Sequence, residues 1–127
     1  MTEDDVARVI VDSALRVHRK LGPGLLESVY EAALVWELER QGLACARQQP
    51  IPVTYEGVDL GLGFRADLVV EDKVLVEIKS IEAVAPVHKK QLLTYLRVTN
   101  MRLGLLLNFN VPLIKEGITR IVNNLPE

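Results

Sequence analysis

Asp67, Glu77 and Lys79 are the side chains whose types and spacing best suit chemistry. Two carboxylates and an ammonium group on adjoining strands can hold a hard divalent ion and a water beside a phosphate. Whether they meet depends on strand register. The stretch Phe64–Ser80, FRADLVVEDKVLVEIKS, reads as a tight β-hairpin. Ala66–Val70 and Val74–Lys79 are rich in β-branched and aliphatic residues, and Glu71-Asp72-Lys73 makes the turn. With Val70 opposite Val74, one face carries Ala66, Leu68, Val70, Val74, Val76 and Ile78 and is wholly apolar. The other carries Asp67, Val69, Leu75, Glu77 and Lys79, with Asp67 directly across from Glu77. A one-residue slip would mix polar and apolar groups on both faces. Like charges held opposite one another are destabilising, so two carboxylates on a buried strand want a cation between them. That cation is either a bound metal ion or Lys79 in a plain ion-pair cluster, and the hairpin alone leaves both readings open.

The rest of the chain has to position this hairpin. With 127 residues it is long enough for one domain, residues 1–127, with a single core. A net charge of −2 argues against a protein that coats nucleic acid non-specifically, while leaving room for a local basic patch. Cys45 is the only cysteine, which excludes an internal disulfide and a thiolate zinc cluster; it reads as a small core residue. The acidic start, MTEDDVARV, lacks the layout of a signal peptide, and no apolar run approaches the ~20 residues of a membrane span. A cytoplasmic location without membrane attachment is the default expectation.

Residues 4–21 read as a helix with Val6, Val9, Ile10, Ser13, Val17 and Leu21 at helical spacing. His18 lies on the flank of that stripe and reads as a core histidine. Gly22-Pro23-Gly24 separates it from a second helix over 25–41, whose apolar stripe is expected from Leu26, Val29, Tyr30, Ala33 and Leu34, widened by Trp36 and Leu38. Glu27, in the first turn, suits the free N–H groups and the helix dipole. Ala44–Gln49 and Ile51–Tyr55 read as short extended pieces, with Pro50 and Pro52 marking an edge or a bend. Pro86 opens a third helix running to about Thr99. On it Leu92, Leu93 and Leu96 face the core. His88, Gln91 and Tyr95 share another face, beside Lys89 and Lys90. An imidazole, an amide, a phenol and ammonium groups on one face are able to bind phosphate and base; a merely solvated face is the competing reading for the lysines. RLGLLLNF, Arg102–Phe109, is a buried strand, plausibly beside the hairpin through a crossover. A last short element spans Ile118–Val122.

GLLESVY, Gly24–Tyr30, resembles the signature of the GxxExxY proteins, and HRKLGPGLLESVYEAAL, FRADLVVEDKVLVEIK, QLLTYL and GLLLNF extend that resemblance over the whole chain. The family is similar to the PD-(D/E)xK nuclease superfamily. The resemblance implies a three-layer α/β/α restriction-endonuclease-like fold with a central mixed β-sheet. It also implies that Asp67 and Glu77 bind Mg2+ while Lys79 orients or activates a water; the Ile78 carbonyl is expected to complete the ion's protein ligands, and Mn2+ to substitute for Mg2+. Gln91-x-x-x-Tyr95 resembles a motif of the exonuclease branch, found in bacterial recombination nucleases and phage exonucleases. There an early-helix residue also reaches the metal, a place for which Glu27 is the natural candidate, with His18 behind it. The superfamily's proline is replaced by Ala66.

The expectation is a Mg2+-dependent nuclease that hydrolyses phosphodiester bonds of nucleic acid, DNA favoured. Its catalytic set is Asp67, Glu77, Lys79 and Glu27, and its nucleic-acid contacts are Gln91, Tyr95, His88 and Lys89. The alternative is a non-catalytic module binding nucleic acid or protein on the same fold. A homodimer is a further expectation, because so short a chain has little surface with which to grip a duplex alone.

Overall fold

A computed structural model describes residues 1–126, apart from the side chain of Leu62. The elements run α1 (Glu3–Leu21), α2 (Glu27–Arg40), β1 (Cys45–Tyr55), β2 (Val58–Val70), β3 (Val74–Lys79), α3 (Pro86–Thr99), β4 (Leu103–Asn108), a 3-10 turn (Ile114–Gly117) and β5 (Ile118–Val122). The strands form one sheet in the order β1-β2-β3-β4-β5. The β3–β4 pair is parallel and the other three are antiparallel, so the sheet is mixed. The parallel pair needs a crossover, and α3 supplies it.

Each face of the sheet buries its own apolar set. On one, α1 and α2 bring Val6, Ile10, Val17, Tyr30, Leu34 and Leu38 against Leu68, Val70, Val76, Leu105 and Leu107. On the other, Leu92 and Leu96 of α3 cover Val69, Leu75 and Leu106. Alternation along β2, β3 and β4 makes this two-sided burial, and the result is the three-layer α/β/α fold with a mixed central sheet.

The hairpin register is the one the polarity pattern selects, with Val70 opposite Val74, Val69 opposite Leu75 and Leu68 opposite Val76. Glu71 and Asp72 take φ of 54° and 53°, which gives the tight turn the twist of its flanking strands. Lys73 N–H closes the turn on the Val70 carbonyl at 3.0 Å.

Three expectations need correction. Residues 45–55 form one strand rather than two pieces, because β1 pairs only with β2 and an edge strand tolerates Pro50 and Pro52. Tyr30, Glu31, Leu34, Val35 and Leu38 form the buried stripe of α2, whereas Leu26, Val29 and Trp36 are exposed. Ala66 belongs to the cluster under α3, not to the face of Leu68; it lies beyond Leu68–Val76, where the β2–β3 ladder has ended.

α1 opens with a capping box. The Thr2 hydroxyl accepts the Asp5 N–H at 3.1 Å, and the Asp5 carboxylate accepts the Thr2 N–H at 2.9 Å. α2 has no side-chain cap, and its entry is fixed from inside. The Tyr30 hydroxyl accepts the Leu25 N–H at 3.1 Å and donates to the Gly22 carbonyl at 2.5 Å, while the ring stacks on Phe109 with centroids 4.4 Å apart. Gly24 sits at φ +98°, where a side chain is disfavoured. Tyr30→Phe is therefore expected to cost about 1–2 kcal/mol, as a lower urea midpoint, because two main-chain groups lose their buried partner. A midpoint equal to that of wild type would deny the hydroxyl this role.

Candidate active site

The ladder between β2 and β3 stops after Leu68–Val76. Beyond it the Asp67 carboxylate takes the place of a main-chain acceptor, its Oδ2 receiving the Ile78 N–H at 2.8 Å. The strands part here, and Asp67 and Glu77 are left side by side in the opening. Glu77 Oε1 is buried and has no hydrogen-bond partner. Burial first, and the neighbouring Asp67 charge second, push the Glu77 carboxyl up to about 8; the Asp67 N–H and Lys79 offset this only in part. Glu77 therefore keeps its proton at neutral pH unless a cation takes its place.

A third carboxylate, Glu31 of α2, is linked to Asp67 through the Gln48 side chain. Glu31 is buried, and its Oε2 accepts from Arg47 Nε at 3.2 Å and Nη2 at 3.1 Å. Its Oε1 accepts from the Gln48 amide at 2.6 Å, and the same amide nitrogen lies 3.5 Å from Asp67 Oδ1. The sequence reading missed Glu31 and Gln48. The usable signal was Glu31 itself, a charge at a position spaced to share a face with Leu34, Val35 and Leu38.

Lys79 is half-buried at the end of β3, opposite Asn108 of β4, and among the described residues it makes no ion pair. Its strand end is pinned from two sides. Asn108 exchanges hydrogen bonds with the main chain of Ile81 at 3.1 and 3.0 Å, and Ser80 Oγ donates to the Leu25 carbonyl at 2.6 Å. The loop before α2 is thus tied to the strand that carries Glu77 and Lys79. Asn108 was also unforeseen; it is the single polar residue interrupting the apolar run before Phe109.

From α3, Tyr95 reaches the same opening. Its ring stacks on Phe64 of β2, with centroids 3.6 Å apart and planes 4° apart. Its phenol is held above the usual range by burial first and then by the negative charges of Glu77 and Asp67, with Gln91 opposing.

The other expected residues fall elsewhere. Glu27 is exposed at the first position of α2, and the hydrogen bonds of the carboxylate cluster run through Glu31 instead. His88 Nδ1 accepts the Ala85 N–H at 3.0 Å and so caps α3. Lys89 is exposed and lines a hollow with Glu82, Glu116 and Asn108. His18 is a core histidine whose Nε2 meets the Val111 carbonyl at 2.8 Å. A hollow of about 480 Å3 between the end of α1 and residues 112–115 holds none of Asp67, Glu77 and Glu31.

The donor set fits a hard divalent cation. A buried Glu77 oxygen without a partner, beside Asp67, is a place where a cation would displace the proton and satisfy both groups. No group of three or more His, Cys, Asp or Glu side chains able to enclose an ion is present among the described residues. An open site of few carboxylates completed by main-chain oxygen and water suits an ion that keeps part of its hydration.

A mixed sheet with helices on both faces makes this an α/β domain of the restriction-endonuclease-like kind. A model of the PD-(D/E)XK nuclease superfamily matches residues 4–121, and the chain belongs to that superfamily. Comparisons with curated proteins and with solved structures each give no match. Members of the superfamily generally use divalent metals and act on nucleic acid. No helix among the described residues is long and apolar enough to cross a membrane.

Proposed function

We propose that the chain is a Mg2+-dependent nuclease, with Mn2+ able to substitute, that hydrolyses phosphodiester bonds of nucleic acid, DNA favoured over RNA on the resemblance to recombination and phage exonucleases. The observation that carries this reading is the partnerless buried oxygen of Glu77, set against Asp67 where the sheet opens, with Lys79 two residues on. Asp67, Glu77 and the Ile78 carbonyl would hold the ion. Once bound it would polarise the phosphate and acidify a water. Lys79 would orient that water and offset charge gathering on the phosphate oxygens as the bond breaks. Tyr95 and Gln91 would brace the scissile strand or Lys79. The early-helix carboxylate of the site is Glu31, in the place first given to Glu27. Within the superfamily we place the chain with the GxxExxY proteins. Here Gly24 and Tyr30 of that signature are explained by the loop they hold against β3.

The test is cleavage of labelled single-stranded, duplex and branched DNA with Mg2+ or Mn2+, with Asp67→Ala in parallel. Wild type should cut at least one substrate, and Asp67→Ala should lose about 100-fold or more in rate. An Asp67→Ala preparation that cuts as well as wild type would overturn the mechanism.

A further inference from the structure

Gln48 stands at φ +48°, a left-handed conformation that a residue with a side chain rarely adopts. The β1–β2 ladder pairs Arg47 with Leu68 and Gln49 with Ala66, and skips the pair between them, Gln48 and Asp67. Backbone strain of this kind persists where the surroundings hold it, and here the holding groups are two carboxylates. The amide nitrogen lies 2.6 Å from Glu31 Oε1 and 3.5 Å from Asp67 Oδ1. Because a carboxylate only accepts, the nitrogen end of the amide must face them. Arg47 holds the other oxygen of Glu31, which fixes this carboxylate in place.

A neutral group carrying partial positive charge thus occupies the space between two anions from different elements, α2 and β2. It supplies the hydrogen bonds of a cation without the charge. Gln48 is itself exposed, so the side chain can rotate outward without displacing a buried neighbour.

We propose that Gln48 is a built-in placeholder for a cation. Its amide lies between Glu31 and Asp67, and a divalent ion held by Asp67 would gain access to Glu31 only with the amide displaced. Gln48 is then a positioning residue that sets the metal affinity of the site and the ionic concentration at which it loads. The proposal rests on Asp67 as an ion-binding residue.

The experiment is calorimetric titration with Mn2+, together with a count of bound ions from the paramagnetic resonance signal of free Mn2+. Gln48→Gly removes the amide and suits the left-handed backbone, so this variant should fold. It should bind Mn2+ about tenfold more tightly than wild type, the scale set by loss of one competing hydrogen bond to a charged group. Gln48→Asn also tolerates the backbone but is too short to span both carboxylates, and it should fall between the two. The gain should vanish in the Gln48→Gly, Glu31→Gln double variant. If Gln48→Gly and Gln48→Asn bind Mn2+ no more tightly than wild type, while wild-type binding still needs Asp67 and Glu77, the placeholder is refuted and the nuclease reading stands. If no variant binds Mn2+ through Asp67 and Glu77, both fall.

Discussion

Raising the pH of the metal-free protein from 5 to 8 is expected to lower its stability by about 3–5 kcal/mol, and Glu77→Gln is expected to remove most of that loss. The ordinary value for this carboxyl is 4.5, and burial beside Asp67 lifts it to about 8 in the folded chain. Between those values the folded protein retains the Glu77 proton and the unfolded chain has released it. Unfolding then releases a proton, so stability falls as pH rises, by roughly 1.4 kcal/mol per unit at most. The contribution is fully present below the unfolded value and gone above the folded one. Urea unfolding across this range in a chelating buffer measures it. A flat profile in wild type, or an equally steep one in Glu77→Gln, would contradict the geometry of the pair. Adding Mn2+ at pH 8 should recover stability in wild type, by about 2.7 kcal/mol at 100 times the dissociation constant. It should do far less in Glu77→Gln.

The second large effect concerns Lys79. Lys79→Ala is expected to reduce cleavage by about 100- to 1,000-fold, the usual cost of removing one group aimed at transition-state charge. Mn2+ binding should be unchanged or slightly tighter, because a like charge beside the ion is gone. Lys79 makes no ion pair among the described residues, so its loss breaks no bridge that holds the fold. Single-turnover cleavage and Mn2+ calorimetry on one preparation separate the two effects. Cleavage within a few-fold of wild type would remove Lys79 from the mechanism. Loss of Mn2+ binding would instead make it a structural partner of the carboxylates.

What could be read from sequence depended on how narrowly each element's environment restricts its residues. The β2–β3 register was readable because only one pairing leaves a clean apolar face, and that pairing is present. The bounds of α3 were equally plain, since Pro86 starts a helix and Asn100, at φ +57°, ends it. α2 was harder. Apolar residues lie nearly all round it, so several stripes fit a 3.6-residue period, and the spacing points Leu26, Val29 and Trp36 to the core although they face solvent. A stripe centred on Leu26 and Val29 leaves Glu31 outside it, whereas the true face of Tyr30, Leu34, Val35 and Leu38 includes it. Gln48 gave no local sign at all. Its place depends on a kink in β1 opposite Asp67, a tertiary event that no window of the sequence contains. His88 had the spacing of a ligand-facing residue, and the same spacing serves a helix cap.

The bend at Gln48 and the prolines at 50 and 52 have a bearing on solubility as well. β1 forms an outer margin of the sheet, and a straight margin is a template on which a second chain can add its own strand. Two residues without an N–H and one turned out of line interrupt that template over five consecutive positions. Addition of a second strand along this flank is thereby disfavoured.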